Sequence, residues 1–370
     1  MKALGIVFSN LHDNNISELT SGRTLASVPF GGRYRLVDFV LSSMVNSGAD
    51  KVGIITKSNY QSLMDHTGSG KHWDLARKSG GLIILPPYGV SESGTLYENR
   101  LEALQNVVSF FKRSFEEYVV MSDCDRVCNI NYGEILKFHE SKNADITLVY
   151  TESGIETATR NAVLEMNASG RVNKFSVTYG KTSGKKPVYA NICILKRAFL
   201  LRLLDDAAAN GYKSFSKDIL SKHTDKLRIF GYKFDGYFAA IDSMAAYYKH
   251  NLDILDKAKR DSLFLPDSPI YTKVRDSAPT RYIGGAAVTN SFIADGCVIE
   301  GAVTNSVLFR GVKVSRGASV NNSVLMQDTH ISPDVSLNAV ITDKNVVIRD
   351  KRVLSGCGAL PYYIGKSSII

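Results

Sequence analysis

Gly68-Ser69-Gly70-Lys71 combines glycines with a lysine in the manner of a loop that wraps phosphate oxygens. The pattern is incomplete. His72 stands where a magnesium-holding Ser or Thr is required, and Asp65 where the first glycine belongs. Two further stretches, 9–20 and Ser122-Asp123-Cys124-Asp125, gather polar groups directly after apolar runs. Cys124 and Cys128 offer two thiols, whereas a zinc site takes about four ligands, so both read as small buried apolar residues. With Cys193, Cys297 and Cys357 they form an odd, widely spaced set. That argues against a disulfide framework and fits a reducing, cytoplasmic setting.

A scaffold must hold these stretches. Up to about residue 150, short apolar runs alternate with amphipathic ones. Residues 5–8, 52–55, 82–85, 118–121 and 146–149 read as buried strands. Leu36, Phe39, Val40 and Met44 recur at helical spacing, and 59–66, 96–111 and 132–140 read as further helices. The alternation predicts parallel βαβ units in a doubly wound α/β sheet. Ligands of such sheets sit beyond the carboxyl ends of the strands, where 9–20 and 122–125 fall.

From about residue 281 the texture changes. Leu308, Val314, Val320 and Met326 lie six apart, Ile293 and Ile299 carry the step upstream, and Ile331 and Leu337 resume it after a shift of one residue. Turn formers fill the gaps, among them Arg310-Gly311, Arg316-Gly317 and Pro333-Asp334. This period predicts a left-handed parallel β-helix of hexapeptide repeats, each hexad forming one side of a triangular coil. An irregular β-sandwich is the alternative. The expected organisation is an α/β domain over 1–245, a linker with a helix over 246–280, and the coil over 281–370.

The net charge of +9, from 45 Lys and Arg against 36 Asp and Glu, favours anionic partners. The cations are scattered, with no run longer than Lys185-Lys186 and no zinc-finger or RNA-binding signature, which points to small phosphorylated ligands rather than nucleic acid. Residues 3–8 are too short an apolar run for a signal-peptide core, and no stretch approaches the roughly 20 apolar residues of a membrane span.

Long blocks carry a family resemblance. The stretch from Val28 through Phe39, reading Val-Pro-Phe-Gly-Gly-Arg-Tyr-Arg-Leu-Val-Asp-Phe, is followed by Asn46-Ser47-Gly48 and resembles bacterial ADP-glucose pyrophosphorylases (glucose-1-phosphate adenylyltransferases). So do 68–75 leading to Leu85-Pro86-Pro87, Ile241-Asp242-Ser243 with Asn251-Leu252-Asp253, and in the coil 305–312 and Asp343-Lys344-Asn345-Val346. The resemblance implies a Rossmann-like nucleotidyltransferase domain followed by the β-helix.

The sequence departs from that family where the family does its chemistry. Active members carry Gly-Gly-x-Gly-Thr-Arg-Leu after the first strand; here Asn10, Leu11, His12, Asp13, Asn14, Asn15 and Ile16 stand there. No glycine remains to admit a polyphosphate, and Asn15 replaces the arginine that would stabilise charge in the displacement. The lysine before the family's Pro-Ala-Val-Pro corresponds to Leu25. Mg²⁺ needs two carboxylates: Asp125 or Asp123 is a counterpart of the first, but Tyr237 falls at the second and Asp235 is two residues off. The expected Glu-Lys-Pro is absent at Val177-Thr178, and Asn99-Arg100-Leu101-Glu102-Ala103 replaces Gly-Thr-Ala-Asp-Ala.

These losses resemble those of the non-catalytic partner subunit found beside the active one in some Gram-positive bacteria. They imply a regulatory chain with no competent catalytic residue, Asp125 being a relic, and no metal or cofactor of its own. Mg²⁺ and ATP are then expected at a catalytic ADP-glucose pyrophosphorylase subunit, with which the chain forms a hetero-oligomer, a tetramer. Arg33 falls at the family's activator-contacting lysine, with Arg35 and Lys51 nearby, so these three are the expected contacts of a sugar-phosphate effector. Two alternatives stand beside this: a weakly active adenylyltransferase using Asp125, and a hexapeptide-repeat acyltransferase or scaffold, for which His330 is the coil's only candidate base.

Overall fold

The computed structural model describes residues 3–87, 97–153, 161–178 and 184–370. The chain divides into two compact units, and neither is a continuous stretch.

The first unit comprises Met1–Leu11, Phe39–Phe238 and Pro266–Tyr271. Its central strand, Ala3–Phe8, is apolar and buried at every position, as a strand covered on both faces must be. It pairs in parallel with Tyr118–Asp123 on one side and Lys51–Ile55 on the other, and Gly81–Leu85 extends the sheet beyond Lys51–Ile55. On the far side of Tyr118–Asp123 the pairing changes. Lys186–Lys196 runs antiparallel to it, followed by Asn161–Met166 and Val172–Thr178, with Ile146–Ser153 and Ile229–Lys233 branching from Lys186–Lys196.

The sheet is thus mixed, where sequence alternation over the first 150 residues suggested parallel strands. A local turn accounts for part of this. The Asn167 carboxamide oxygen accepts from the Ser169 and Arg171 N–H groups, both at 3.0 Å, and Gly170 takes φ +82°, so Asn161–Met166 folds straight back into Val172–Thr178 without a crossover helix. Helix Arg197–Ala209 buries Leu200, Leu203, Leu204 and Ala207, spaced i, i+3, i+4 and i+7, in the core of this unit. The helix expected over 96–111 is two, Arg100–Asn106 and Val108–Lys112, and Leu96 lies outside the described residues.

The second unit comprises His12–Asp38, Ala239–Leu265 and Thr272–Ile370. Residues 281–364 form the expected coil, with three parallel faces of five strands each. One face stacks Arg281–Tyr282, Val298–Ile299, Lys313–Val314, His330–Ile331 and Val347–Ile348. Its interior is the aliphatic cluster of Ile299, Val303, Leu308, Val314, Val320, Leu325, Ile331 and Leu337 with their neighbours.

Leu325, not the expected Met326, continues the inward column, because Leu308 pairs with Leu325. Successive turns are offset by 15 residues at the start and then by 17, where one side of the turn is five residues long, and the last rung of one face is offset by 22. Corners are turned by residues in the left-handed region. Gly296, Gly311, Asp328, Asn345 and Ser367 form one such column, and Asn290, Asn305, Asn322 and Ala339 another. Glycine, Asn and Asp tolerate that conformation best, which is why they punctuate the repeat.

The two earlier segments of this unit fold onto the coil. Helix Met244–Asp253 donates the Tyr248 hydroxyl to the Asn322 carbonyl, and the Tyr247 hydroxyl to Pro29 O at 2.7 Å. The Gly31 N–H reaches Asn251 Oδ1 at 3.0 Å, and the Tyr363 hydroxyl reaches Glu18 O at 2.9 Å. A second helix, Lys257–Leu263, follows a break capped by the Asp256 carboxylate. Among the described residues no helix is long and apolar enough to cross a membrane.

Candidate functional site

In the first unit the carboxyl ends of Ala3–Phe8 and Tyr118–Asp123 lie side by side, with Phe8 opposite Asp123. The chain leaving Ala3–Phe8 is tied down by its own groups. The Ser9 hydroxyl donates to Ile55 O at 2.8 Å, and the Asn10 amide lies 3.4 Å from Ser58 O. Asp123, 1% exposed, is paired with Arg100 at 2.6 Å. The same guanidinium donates to the Tyr189 hydroxyl at 3.2 Å and lies over the Phe8 ring at 5.0 Å and the Phe215 ring at 6.0 Å. Burial alone would ease the proton off Arg100, but the Asp123 charge beside it holds the group above its ordinary range. Burial pushes the neighbouring Cys193 thiol up to about 11 and Cys128 to about 12, so neither is a nucleophile at neutral pH.

The remaining carboxylates of this unit that sequence singled out are also engaged. Asp125, buried, lies 3.2 Å from Arg126 Nε. Asp235, exposed, pairs at 3.1 Å with Lys233, which also holds Glu152 at 3.1 Å. Tyr237 is half-buried and brings a phenol where a carboxylate would be needed. Mg²⁺ asks for carboxylate oxygens open to the ion. Asp123 and Asp125 each bring an oxygen within 4.8 Å of the other, a spacing that an ion could bridge, but Arg100 is already paired with Asp123.

Asp13, in the second unit, caps a turn. Its carboxylate accepts the Leu25 N–H at 2.9 Å, and its carbonyl accepts the Thr20 hydroxyl at 2.8 Å. Ile16 and Leu19 are buried beneath it, and Asn15 points to solvent. The stretch that replaces the glycine loop has become a folded 3₁₀ turn.

The three cations expected at an effector site divide between the units. Lys51 belongs to the first, where its ammonium donates to Ser114 Oγ at 2.9 Å and lies 4.0 Å from Glu116. Arg33 and Arg35 belong to the second. Arg33 is exposed, its guanidinium 5.9 Å from the Tyr34 ring centre. Arg35 is largely buried, and its N–H donates to Asp38 at 3.0 Å.

The structure adds residues that sequence reasoning did not select. Along one corner of the coil, Asp295, Arg310, Gln327 and Lys344 stand in a column, each carbonyl receiving an N–H from the next turn. Arg310 is neutralised by Asp295 at 3.0 Å. Among the described residues no ion pair neutralises Lys344. Burial, then the charges of Arg35, Arg23 and Arg275, outweigh the opposing carboxylate of Asp343 and push its ammonium down to about 7. Asp343 is spoken for: Arg23 Nη2 approaches it at 2.5 Å and the Tyr363 hydroxyl at 3.3 Å. Arg23 is 6% exposed, and its other terminal nitrogen, Nη1, is buried with no hydrogen-bond partner among the described residues. Lys344 is thus gathered with Arg35, Arg23 and Arg275 around Asp343, and Arg23 Nη1 is an unsatisfied buried donor among them. The signal was present in the Asp343-Lys344 pair of a family block, but nothing in the sequence says that Arg23, over 300 residues earlier, meets it.

His330, the coil's candidate base, lies on the outer side of its strand and is exposed.

Residues 15–257 match the nucleotidyl transferase family, and residues 279–356 the GlmU-like C-terminal hexapeptide family. The chain is 34% identical over 370 residues to the glycogen biosynthesis protein GlgD of Bacillus subtilis, covering 99% of this chain and 96% of that protein. It is 38% identical over 319 residues to GlgD of Geobacillus stearothermophilus, covering 86% and 83%. A glucose-1-phosphate adenylyltransferase of Acetivibrio thermocellus is 31% identical over 363 residues, covering 96% and 84%. With both parts matched and such relatives aligned along nearly their whole length, the chain belongs to the nucleotidyl transferase family, in the group that holds GlgD and the glucose-1-phosphate adenylyltransferases.

Proposed function

We propose that the chain is a regulatory, non-catalytic subunit of ADP-glucose pyrophosphorylase: a cytoplasmic partner of a catalytic glucose-1-phosphate adenylyltransferase in glycogen biosynthesis. One observation carries the reading. Asp123, one of the two carboxylates that a metal-assisted adenylyl transfer would use, is already hydrogen-bonded and ion-paired to Arg100 at 2.6 Å, and Arg126 lies beside the other, Asp125. Kinship with GlgD proteins supports it. Assembly as a heterotetramer is the expected arrangement, with Mg²⁺ and ATP handled by the catalytic partner.

The cluster of Lys344, Arg35, Arg23 and Arg275 is the regulatory site of this reading, and a phosphorylated sugar is its ligand class. A phosphate group supplies the charge that the cluster lacks and the acceptor that Arg23 Nη1 lacks. Arg33 stands two residues from Arg35 and is suited to a second phosphate.

The experiment is to assay ADP-glucose formation from ATP and glucose 1-phosphate with this chain alone, a catalytic subunit alone, and the two mixed. The isolated chain should stay at background, and the mixture should differ from the catalytic subunit in rate or in response to sugar phosphates. Turnover by the isolated chain within about tenfold of a typical kcat of roughly 10 s⁻¹ would refute the proposal.

A further inference from the structure

We infer that Arg100 is a built-in replacement for a divalent cation: its guanidinium occupies the Asp123 carboxylate at the carboxyl ends of the central strands, so the first unit excludes metal there. The inference rests on the non-catalytic reading and supplies a physical cause for it.

A buried carboxylate requires a counter-charge, because an isolated anion in a low-dielectric interior is costly. Asp123 is 1% exposed and sits at the end of an all-buried strand. Two kinds of positive group satisfy such a carboxylate, a bound cation or a side chain. Here it is a side chain, at 2.6 Å and itself only 9% exposed.

Arg100 is not at this place for the sake of its helix. It is the first residue of Arg100–Asn106, after the Asn99 cap, and a cation at a helix N-terminus opposes the peptide dipoles. What holds it is the first unit's own core. The Phe8 and Phe215 rings flank the guanidinium, Tyr189 accepts one nitrogen at 3.2 Å, and the carbonyl of Asn191 lies 3.5 Å from another. Asn191 has φ +60° where Lys186–Lys196 breaks register between Tyr189 and Cys193. The irregularity therefore turns a strand carbonyl toward the guanidinium. A planar fork with several directed donors satisfies this mixture of carboxylate, hydroxyl and carbonyl. With the guanidinium seated on Asp123, a divalent ion, which needs open carboxylate oxygens at about 2.1 Å, meets a positive charge there instead.

The test uses the full chain with Mn²⁺ alone as probe, read by electron paramagnetic resonance and by thermal melting. Wild type should leave the Mn²⁺ signal that of the free ion and keep its melting temperature. Arg100→Met, which strips the counter-charge, should melt lower and recover part of the loss when Mn²⁺ is added. Adding Asp123→Asn to that variant should abolish the recovery. Mn²⁺ binding by wild type that disappears in Asp123→Asn would overturn the inference. So would an Arg100→Met chain that folds, melts like wild type and ignores Mn²⁺. If Arg100→Met does not fold, Arg100→Gln decides, since it keeps a hydrogen-bonding side chain but loses the charge: a Mn²⁺-dependent rise in melting temperature supports the inference and its absence overturns it. The regulatory reading fails by a different readout, the lack of any effect of wild-type chain on a catalytic subunit. The two failures are therefore distinguishable.

Discussion

Anion binding at Lys344 should take up a proton, and the amount is fixed by the pKa. The ammonium is pushed from an ordinary 10.5 down to about 7 by burial and by Arg35, Arg23 and Arg275, which outweigh Asp343. Because the folded value lies below the unfolded one, the folded chain holds fewer protons between those limits. This group's contribution to stability therefore rises with pH from about 7 to 10.5, and its penalty is complete below about 7. An anion beside Lys344 reverses the balance by favouring the charged form. Sulfate suits the measurement, since it does not titrate near neutrality and any pH dependence then belongs to the protein. With the free value near 7, Lys344 is about 90% charged at pH 6 and about 10% at pH 8, so sulfate should bind about tenfold more weakly at pH 8. Titration calorimetry in two buffers of different ionisation heat should find about 0.1 proton taken up at pH 6 and about 0.9 at pH 8. Lys344→Arg should bind with no proton uptake at either pH. Equal affinity for sulfate at pH 6 and pH 8 in wild type, or a proton uptake that survives in Lys344→Arg, would refute the reasoning.

Other outcomes follow from single contacts. Arg23→Met leaves Asp343 buried beside a lost partner and should cost about 3–5 kcal/mol in denaturant unfolding. Gly301→Ala places a Cβ 2.3 Å from the Ala318 carbonyl and 2.7 Å from that of Ser315; overpacking against backbone should cost at least about 1–3 kcal/mol, measured by thermal melting. His139 is buried, with Nδ1 2.8 Å from the Thr147 hydroxyl, and burial lowers its pKa from 6.5 to about 4. Its stabilising contribution is intact above pH 6.5 and is lost as pH falls toward 4, by roughly 2–3 kcal/mol, so His139→Asn should flatten the acid limb of the stability curve in that window.

The fold was readable where a period repeats. Six-residue steps among Leu308, Val314 and Val320 announce the coil, because parallel stacking puts each inward residue above another. The five-residue side was hidden by Leu325-Met326: both are apolar, both are buried, and only pairing with Leu308 selects Leu325. The parallel half of the sheet followed from strands alternating with helices, whereas the antiparallel half depends on the Asn167 turn and on pairing partners far apart in sequence. At the sites, absences were easier to read than replacements. Missing glycines at 10–16 and Tyr237 stood out, but an arginine at a helix start looks like a surface residue. Only the Phe8, Phe215, Tyr189 and Asp123 surroundings turn Arg100 into part of the interior. Lys344 escaped for the same reason, since its neighbours Arg23 and Arg35 come from the other end of the chain.

The clasp between Arg23 and Asp343 also sets an order in time. These residues are separated by 320 positions, and Glu18 and Tyr363 by 345. At a synthesis rate of about 5–20 residues per second, the early segment waits roughly a quarter of a minute to over a minute for its anchors to emerge. The coil can add rungs one on another as it is made, because each turn contacts only its neighbours. Its companion segment cannot follow suit. Residues 12–38 bear apolar groups that end up fully buried, among them Ile16, Val28 and Phe30, and during that interval they have no finished surface to cover them. Completion of this unit is therefore a late, all-at-once event, and the nascent chain is most exposed to misassociation just before its last turns appear.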